Sequence, residues 1–444
     1  MPVSFINILG LIISNLFSWW WIWLPIILFL ILKNLWTETK RKEYVSNIKW
    51  TLLEIRIPRE IKKSPKAMEQ VFAGLHGIYN SPNFIERNFN GFVQEWFSLE
   101  IASFGGAVHF FIRTPEKYRN LVEAQIYAQY PDIEISEVND YTQLIPENIP
   151  NENYDIWGGE FCLTKPDFYP IRTYSEFVDP SAEEQVDPVS SLMEVLSKLD
   201  PQEQIWVQVL IRPIGDEWKK EGRRYIDKKI GRRGWGGVGD ELKDFIDEIG
   251  EAFSSMLSGR VREPRPKIVV PKELPRRVPR QVELKGPGET LTGDEWQVLS
   301  AIEKNISKIG FETIIRFVYL SPKEIFSKAN VSAIVGCFKQ FNTENLNGFK
   351  INKAVSVNGG FLNKKKNYRR KRLILSLFKK RYFPLKSKYI KYLRPGPFSS
   401  APRCFVFNIE ELATVYHFPG TLVVAPTIPK IEARKAKPPV GLPI

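Results

Sequence analysis

Between residues 50 and 138 the spacing of apolar residues switches repeatedly between the strand and helix periods, and this order limits the fold more than any other feature of the chain. Residues 50–58 alternate, with Leu53, Ile55 and Ile57 on one face and Glu54 and Arg56 on the other, which predicts a strand. Ser64-Pro65 supplies a capping residue and a proline at a helix start, and Met68, Val71, Leu75 and Ile78 follow at helical spacing. Two strand-like runs, 92–101 and 107–113, flank Gly105-Gly106, a hairpin signal. Thr114-Pro115 opens a second helix bearing Tyr118, Val122, Ile126 and Tyr130, and residues 133–138 close as a strand. The β-α-β-β-α-β order is the split βαβ plan of a ferredoxin-like module, spanning 45–145.

A second such module is expected over 150–213 and 291–350. Residues 157–164 are strand-like, Asp187-Pro188 caps a helix with Leu192, Val195 and Leu199, and Ile205, Val207, Val209 and Ile211 alternate. Residues 313–320 form a strand, and Ser321-Pro322 is expected to open a helix holding Ile325, Phe326, Ile334, Val335 and Phe338. Residues 110–125 and 316–331 share one grammar of apolar strand, Ser or Thr, Pro, then helix, an internal echo at equivalent places. Residues 214–290 read as an insertion, helical and then rich in Pro and Arg, around the glycine run 231–239.

The N-terminal 32 residues carry no charged side chain, and Trp19, Trp20, Trp21 and Trp23 cluster there. Crossing a bilayer takes roughly 20 apolar residues. Residues 1–36 are therefore expected to be a transmembrane anchor, either one long tilted helix through Pro25 or a span that starts near Ser18 with residues 4–17 at the interface. Lys33, Lys40, Arg41, Lys42 and Lys49 follow, which places the bulk of the chain on the cytoplasmic side of the inner membrane, with the lipid bilayer as a partner. The fold expected is α+β: a transmembrane anchor, two ferredoxin-like modules with an interrupted second one, and a basic C-terminal tail.

Charge is the strongest functional signal. The net charge is +13, and the segment between Glu344 and Glu410 holds 17 Lys and Arg and no acidic residue. Within the tract 351–403, Lys364, Lys365, Lys366, Arg369, Arg370, Lys371, Arg372, Lys379, Lys380 and Arg381 are the candidate nucleic-acid or lipid ligands. Tyr368, Tyr382, Phe383, Tyr389 and Tyr392 interleave with them and suit stacking on unpaired bases. No GxxxxGK[ST], GxSxG or HExxH pattern occurs. Cys162, Cys337 and Cys404 lack metal or disulfide spacing and read as single thiols. His76, His109 and His417 read as packing residues, and Glu160 as the wet face of a strand. No catalytic residue, metal site or cofactor is expected.

Three segments, EIRIPREIKKSPKAMEQVFAGLHG (54–77), AVHFFIRTPEKYRNLVEAQIYAQYPDIEI (107–135) and FNIEELATVYHFP (407–419), carry a family likeness. The sequence resembles the non-ATPase region of conjugation-type, type IV secretion HerA/FtsK-like ATPases of candidate-phyla bacteria. The resemblance implies a non-catalytic subunit of a translocation machine, with a separate P-loop ATPase as partner and DNA as cargo; the alternative left by the charge pattern is a membrane-surface nucleic-acid-binding protein without a motor partner. It implies that Asn408, Glu410, Glu411 and His417, in the strand-helix element of 404–444, dock that motor. The chain reaches Ile444 without a Walker motif, so nucleotide hydrolysis carries over to no residue here.

Overall fold

A computed structural model describes residues 20–58, 63–81, 86, 90–146, 148–177, 186–231, 291–353, 355–357, 364–385 and 404–420. The glycine run 232–239, the Pro/Arg-rich part of the insertion, the basic residues 386–403 and the terminal segment 421–444 lie outside the described residues, as do 1–19.

The chain divides into two compact units. The smaller comprises residues 1–49, 81–94 and 385–399. Its main element is helix α1, Trp20–Ser46. From Trp20 to Leu32 the helix is uncharged, about 20 Å at 1.5 Å per residue, against roughly 30 Å of bilayer core. It then continues through Lys33, Glu38, Lys40, Arg41, Lys42 and Glu43, with ion pairs Lys42–Glu38 at 3.0 Å and Lys40–Glu43 at 2.8 Å. Among the described residues no helix is long and apolar enough to cross a membrane. This corrects the expected transmembrane anchor, and with it the single-pass inner-membrane placement. Gly91 sits at φ +68, where a Cβ would lie 2.6 Å from that of Lys40.

The larger unit is built on nine antiparallel strands: β1 Trp50–Arg56, β2 Phe97–Phe104, β3 Ala107–Pro115, β4 Glu134–Glu137, β5 Tyr154–Leu163, β6 Gln204–Pro213, β7 Gly310–Pro322, β8 Phe349–Ile351 and β9 Phe405–Asn408. Their order is β4-β1-β3-β2-β6-β7-β5-β8, with β9 also on β7. The first half, β4-β1-β3-β2, is repeated as β8-β5-β7-β6, and the echoing segments 110–125 and 316–331 begin on β3 and β7. The halves do not stand apart. β2 pairs with β6 over eight positions, Phe97↔Ile211 to Phe104↔Gln204. The expectation of a transmembrane helix, two ferredoxin-like modules and a basic tail is thus corrected to one nine-stranded α+β sheet. An unpaired β2 edge would leave a row of N–H and C=O groups without partners, and β6 fills it.

Alternation gives the sheet two unlike faces. One is apolar: Leu53, Ile55, Leu99, Ile101, Phe110, Ile112, Val207, Val209, Ile315 and Phe317 share a single core. Helices α2 (Lys66–Leu75), α3 (Arg119–Gln129), α4 (Ser190–Ser197) and α7 (Lys328–Lys339) bury Met68, Phe72, Val122, Ile126, Met193, Leu196, Ile334 and Phe338 against it. Helix α5 (Glu217–Lys229) and α6 (Gly293–Ser307) pack beside it around Phe168, Ile302 and Ile306. The other face carries Trp206, Val318 and Leu320 but also a row of charges, and helix α8 (Lys364–Lys379) covers it through Ile374, Leu375 and Phe378. The basic segment 364–379 is therefore a packed helix rather than a tail.

Local signals explain most boundaries. Gly105 and Gly106 adopt φ +57 and +89, as a two-residue hairpin of this hand requires, and a Cβ on Gly105 would lie 2.7 Å from the Pro201 carbonyl oxygen. Thr292 and Glu295 form a capping box at the start of α6. Helix α7 is capped by Ser327, because Ser321-Pro322 still belongs to β7.

A seam that joins both halves predicts one unfolding transition. Urea denaturation followed by tryptophan fluorescence and by far-ultraviolet dichroism should give coincident midpoints. Phe317→Ala, which empties a fully buried site stacked on Phe161 at 5.3 Å, should lower both together by about 3–5 kcal/mol.

Candidate functional site

The charged row on the covered face follows from register. Glu54 lies opposite Phe111, Phe111 opposite Glu100, Glu100 opposite Gln208, Gln208 opposite Arg316, and Arg316 opposite Glu160. Each alternates outward from the apolar core, and α8 closes over them. Arg316 is fully buried; its Nε donates to Glu160 at 2.6 Å, and its other nitrogens donate to Gln208 Oε1 at 3.0 Å and to the carbonyls of Leu377 and Tyr382. Gln208 donates to Glu100 and to the Phe378 carbonyl. Carbonyls at the C-terminal end of α8, which lack partners within a helix, are thus satisfied by the sheet. Burial pushes the Glu160 carboxyl up, and Arg316 only partly offsets this. Glu160 is 1% exposed, which corrects its reading as a wet-face residue.

Arg381 anchors the helix end. The N–H of Arg381 bonds Phe378 O at 2.9 Å and that of Tyr382 bonds Leu377 O at 3.0 Å, the two closures of a Schellman turn. Glycine usually occupies the left-handed position of that turn; here Arg381 takes it at φ +46, at a cost of roughly 1–2 kcal/mol. The turn aims the guanidinium into the sheet, where Nε and Nη2 bond Glu100 at 2.9 and 3.1 Å and Asp140 accepts from Nη2 at 2.9 Å. Burial alone would raise the Glu100 carboxyl, but Arg381, Ser98 and Tyr141 hold it below the usual range. Arg381 therefore belongs to the interior, not to a ligand surface.

The other sequence-selected cations divide by helix face. Arg370 donates to the Ser356 carbonyl, Lys371 pairs with Asp155, and Lys379 donates to the Ile145 carbonyl. Lys365, Lys366, Arg369, Arg372 and Lys380 are exposed, and none forms an ion pair among the described residues. Lys365, Arg369 and Arg372 follow at i, i+4 and i+7, one stripe opposite Ile374 and Phe378. Lys364 is in the helix, but its side chain lies outside the described set. Tyr368 is 45% exposed beside this stripe, the Arg372 guanidinium lying 6.0 Å from its ring centre, and Tyr382 is 39% exposed in the turn that follows α8.

The strand-helix element lies inside the core. β9 pairs with residues 310–313 of β7, and helix α9 (Ile409–Val415) follows. Asn408 caps α9 through the Glu411 N–H, and Glu411 returns a bond to the Asn408 N–H. Glu411 also accepts from the Ile171 N–H at 3.0 Å. Burial drives its carboxyl up to about 8, partly offset by those N–H groups and reinforced by Glu410 and Asp167. Glu410 behaves oppositely: burial opposes ionisation, but Lys308, Thr173 and Ser175 hold it down at about 2. His417 bonds the Ala413 carbonyl and Asp187 at 2.7 and 2.8 Å. Asn408, Glu410, Glu411 and His417 are each at most 4% exposed, and their side chains are engaged in hydrogen bonds within the fold.

The remaining histidines also serve packing. His76 bonds the Ile214 carbonyl at 3.1 Å and meets Phe311 edge-on, and burial pushes it below its ordinary range. His109 bonds Glu54 at 2.8 Å and stacks on Phe111. Cys162 and Cys337 are buried and Cys404 half-buried, all as free thiols. Among the described residues no group of His, Cys, Asp and Glu could hold a metal ion.

Two predictions follow from these charges. Arg381→Met leaves Glu100 buried without its cation and should cost about 3–5 kcal/mol, and adding Glu100→Gln should return part of it in a double-mutant cycle. The carboxylates set the pH profile. Glu410 lies below its ordinary 4.5, so its stabilisation is present above pH 4.5 and lost as pH falls toward 2. Glu411 lies above 4.5, so its contribution is complete below pH 4.5 and lost as pH rises through 8. Melting temperatures should fall at both ends, with Glu410→Gln flattening the acid limb and Glu411→Gln the alkaline one.

No curated protein matches the chain. Residues 34–425, which take in the sheet, the charged row, α8 and the β9-α9 element, match a domain of unknown function (DUF8128). The chain is a member of that family.

Proposed function

We propose that this chain is a non-catalytic nucleic-acid-binding subunit, a rigid sheet platform that holds DNA or RNA on α8. The observation that carries the reading is the division of charge around that helix. Arg370, Lys371, Lys379 and Arg381 are spent on the fold, while Lys365, Lys366, Arg369, Arg372 and Lys380 stand exposed without carboxylate partners among the described residues. The sequence around them contains no acidic residue from 345 to 409. From Lys365 to Lys380 it runs about 22 Å, enough to follow several phosphates.

The type IV secretion resemblance gives this activity a setting, in which the subunit holds DNA beside a separate P-loop motor. A motor partner rests on that resemblance alone, because the residues it implicates for docking are buried.

The full-length chain should bind a labelled oligonucleotide, with log affinity falling against log salt at a slope of about −3 to −5 for five phosphate contacts. Replacing Lys365, Lys366, Arg369, Arg372 and Lys380 with Gln should abolish binding at moderate salt and leave the melting temperature nearly unchanged. Binding that survives in this variant would overturn the assignment of α8.

A further inference from the structure

Helix α8 and the turn that follows it carry two exposed rings that indicate which form of nucleic acid fits there. Resting on the reading of α8 as a nucleic-acid face, we infer that its ligand is single-stranded, held by stacking of unpaired bases on Tyr368 and Tyr382 as well as by phosphate contacts.

Tyr368 precedes Arg369 and lies one helical turn before Arg372, at the flank of the cationic stripe. Its ring is 45% exposed although the helix has an apolar face available for an aromatic side chain, occupied by Ile374, Leu375 and Phe378. The guanidinium of Arg372 lies 6.0 Å from the ring centre, so a cation and a π-face are presented together. Tyr382 is 39% exposed two residues after Lys380, and its backbone is fixed by its N–H bond to Leu377 O and by Arg316, which donates to its carbonyl at 2.6 Å. Neighbouring aromatics turn inward: Phe378 and Phe383 are 0% and 1% exposed, packed on Trp206 and Trp96. The exposed pair is therefore selected by position rather than by a general excess of aromatic residues.

A duplex presents phosphates to such a surface but keeps its base faces stacked on one another, so the rings would gain nothing from it. A single strand offers phosphates to the cations and base faces to the rings, and stacking of this type is worth roughly 1–3 kcal/mol per base, about fivefold to a hundredfold in affinity. The rigid turn at Arg381 holds the second ring in place, which lowers the ordering cost of binding.

The test is fluorescence anisotropy of the full chain with three probes of equal length: oligothymidylate, an abasic single strand and a duplex. Oligothymidylate should bind at least fivefold more tightly than either of the others. Tyr368→Ala and Tyr382→Ala should each remove most of that preference without changing abasic-strand affinity or melting temperature, and Tyr368→Trp should retain it. Equal affinity for the three probes, or alanine variants that bind oligothymidylate normally, would overturn the stacking inference while leaving the electrostatic reading intact. Binding to no probe, or binding undiminished by the five-fold Gln replacement, would instead overturn the assignment of α8 itself. Preference for the duplex would overturn the single-strand inference alone.

Discussion

The buried pairing of Arg316 and Arg381 with Glu160, Glu100 and Asp140 is the interaction on which the placement of α8 over the sheet depends. A sheet with one apolar face can stand with its other face in water. This one instead sets charges at a single level across neighbouring strands and closes a cationic helix over them. Removing those charges from water is costly, and the cost is offset only because nearly every guanidinium N–H meets a carboxylate, an amide oxygen or a helix-end carbonyl. Arg212 and Glu312 repeat the arrangement nearby, with the Arg212 guanidinium 4.1 Å from the centre of the Phe383 ring. Ion pairs of this kind add little net stability over an apolar core, but they tolerate only one register. Shifting α8 by a turn would leave several buried charges unpaired at once.

Period alone reveals strands and helices, and the alternation of Ile205, Val207, Val209 and Ile211 corresponds directly to the face that meets the helices. It says nothing about which strand lies beside which. β2 and β6 each read as ordinary amphipathic strands, and the choice between two open edges and one eight-pair seam is made by tertiary contact. The same blindness misplaced Glu160. Glu100, Gln208, Glu160 and Arg316 occupy the non-core parity of their strands and so look solvated, yet each is at most 1% exposed beneath α8. Their clustering at one register level could have warned of a buried row, but only once the strand order was in hand.

At the C-terminal element the sequence held a usable signal. Asn408 followed three residues later by Glu411 is the spacing of a capping box, which turns the glutamate back onto its own backbone. The family resemblance instead implies a docking role for both glutamates. Geometry separates the pair: one carboxylate caps the helix among apolar neighbours and resists ionisation, the other meets Lys308 and is held ionised. Two adjacent residues of one type thus acquire opposite acid-base character from the side of the helix on which they fall.

The same angular logic governs α8. Along 364–381 composition makes every Lys and Arg equivalent, whereas the helix sorts them by direction. Arg370, Lys371, Lys379 and Arg381 reach the sheet or its flanking loops and are consumed there; Lys365, Lys366, Arg369, Arg372 and Lys380 are left outward. Because the inward set fixes the helix, the outward set pays no further ordering cost for its backbone when an anion approaches. A mobile basic tail of equal charge would attract the same ligand but would have to be ordered with each binding event. Engaging four of the cations in the fold is what makes the five outward ones a surface with a defined shape, and it separates the residues that hold the helix in place from those available to an anion.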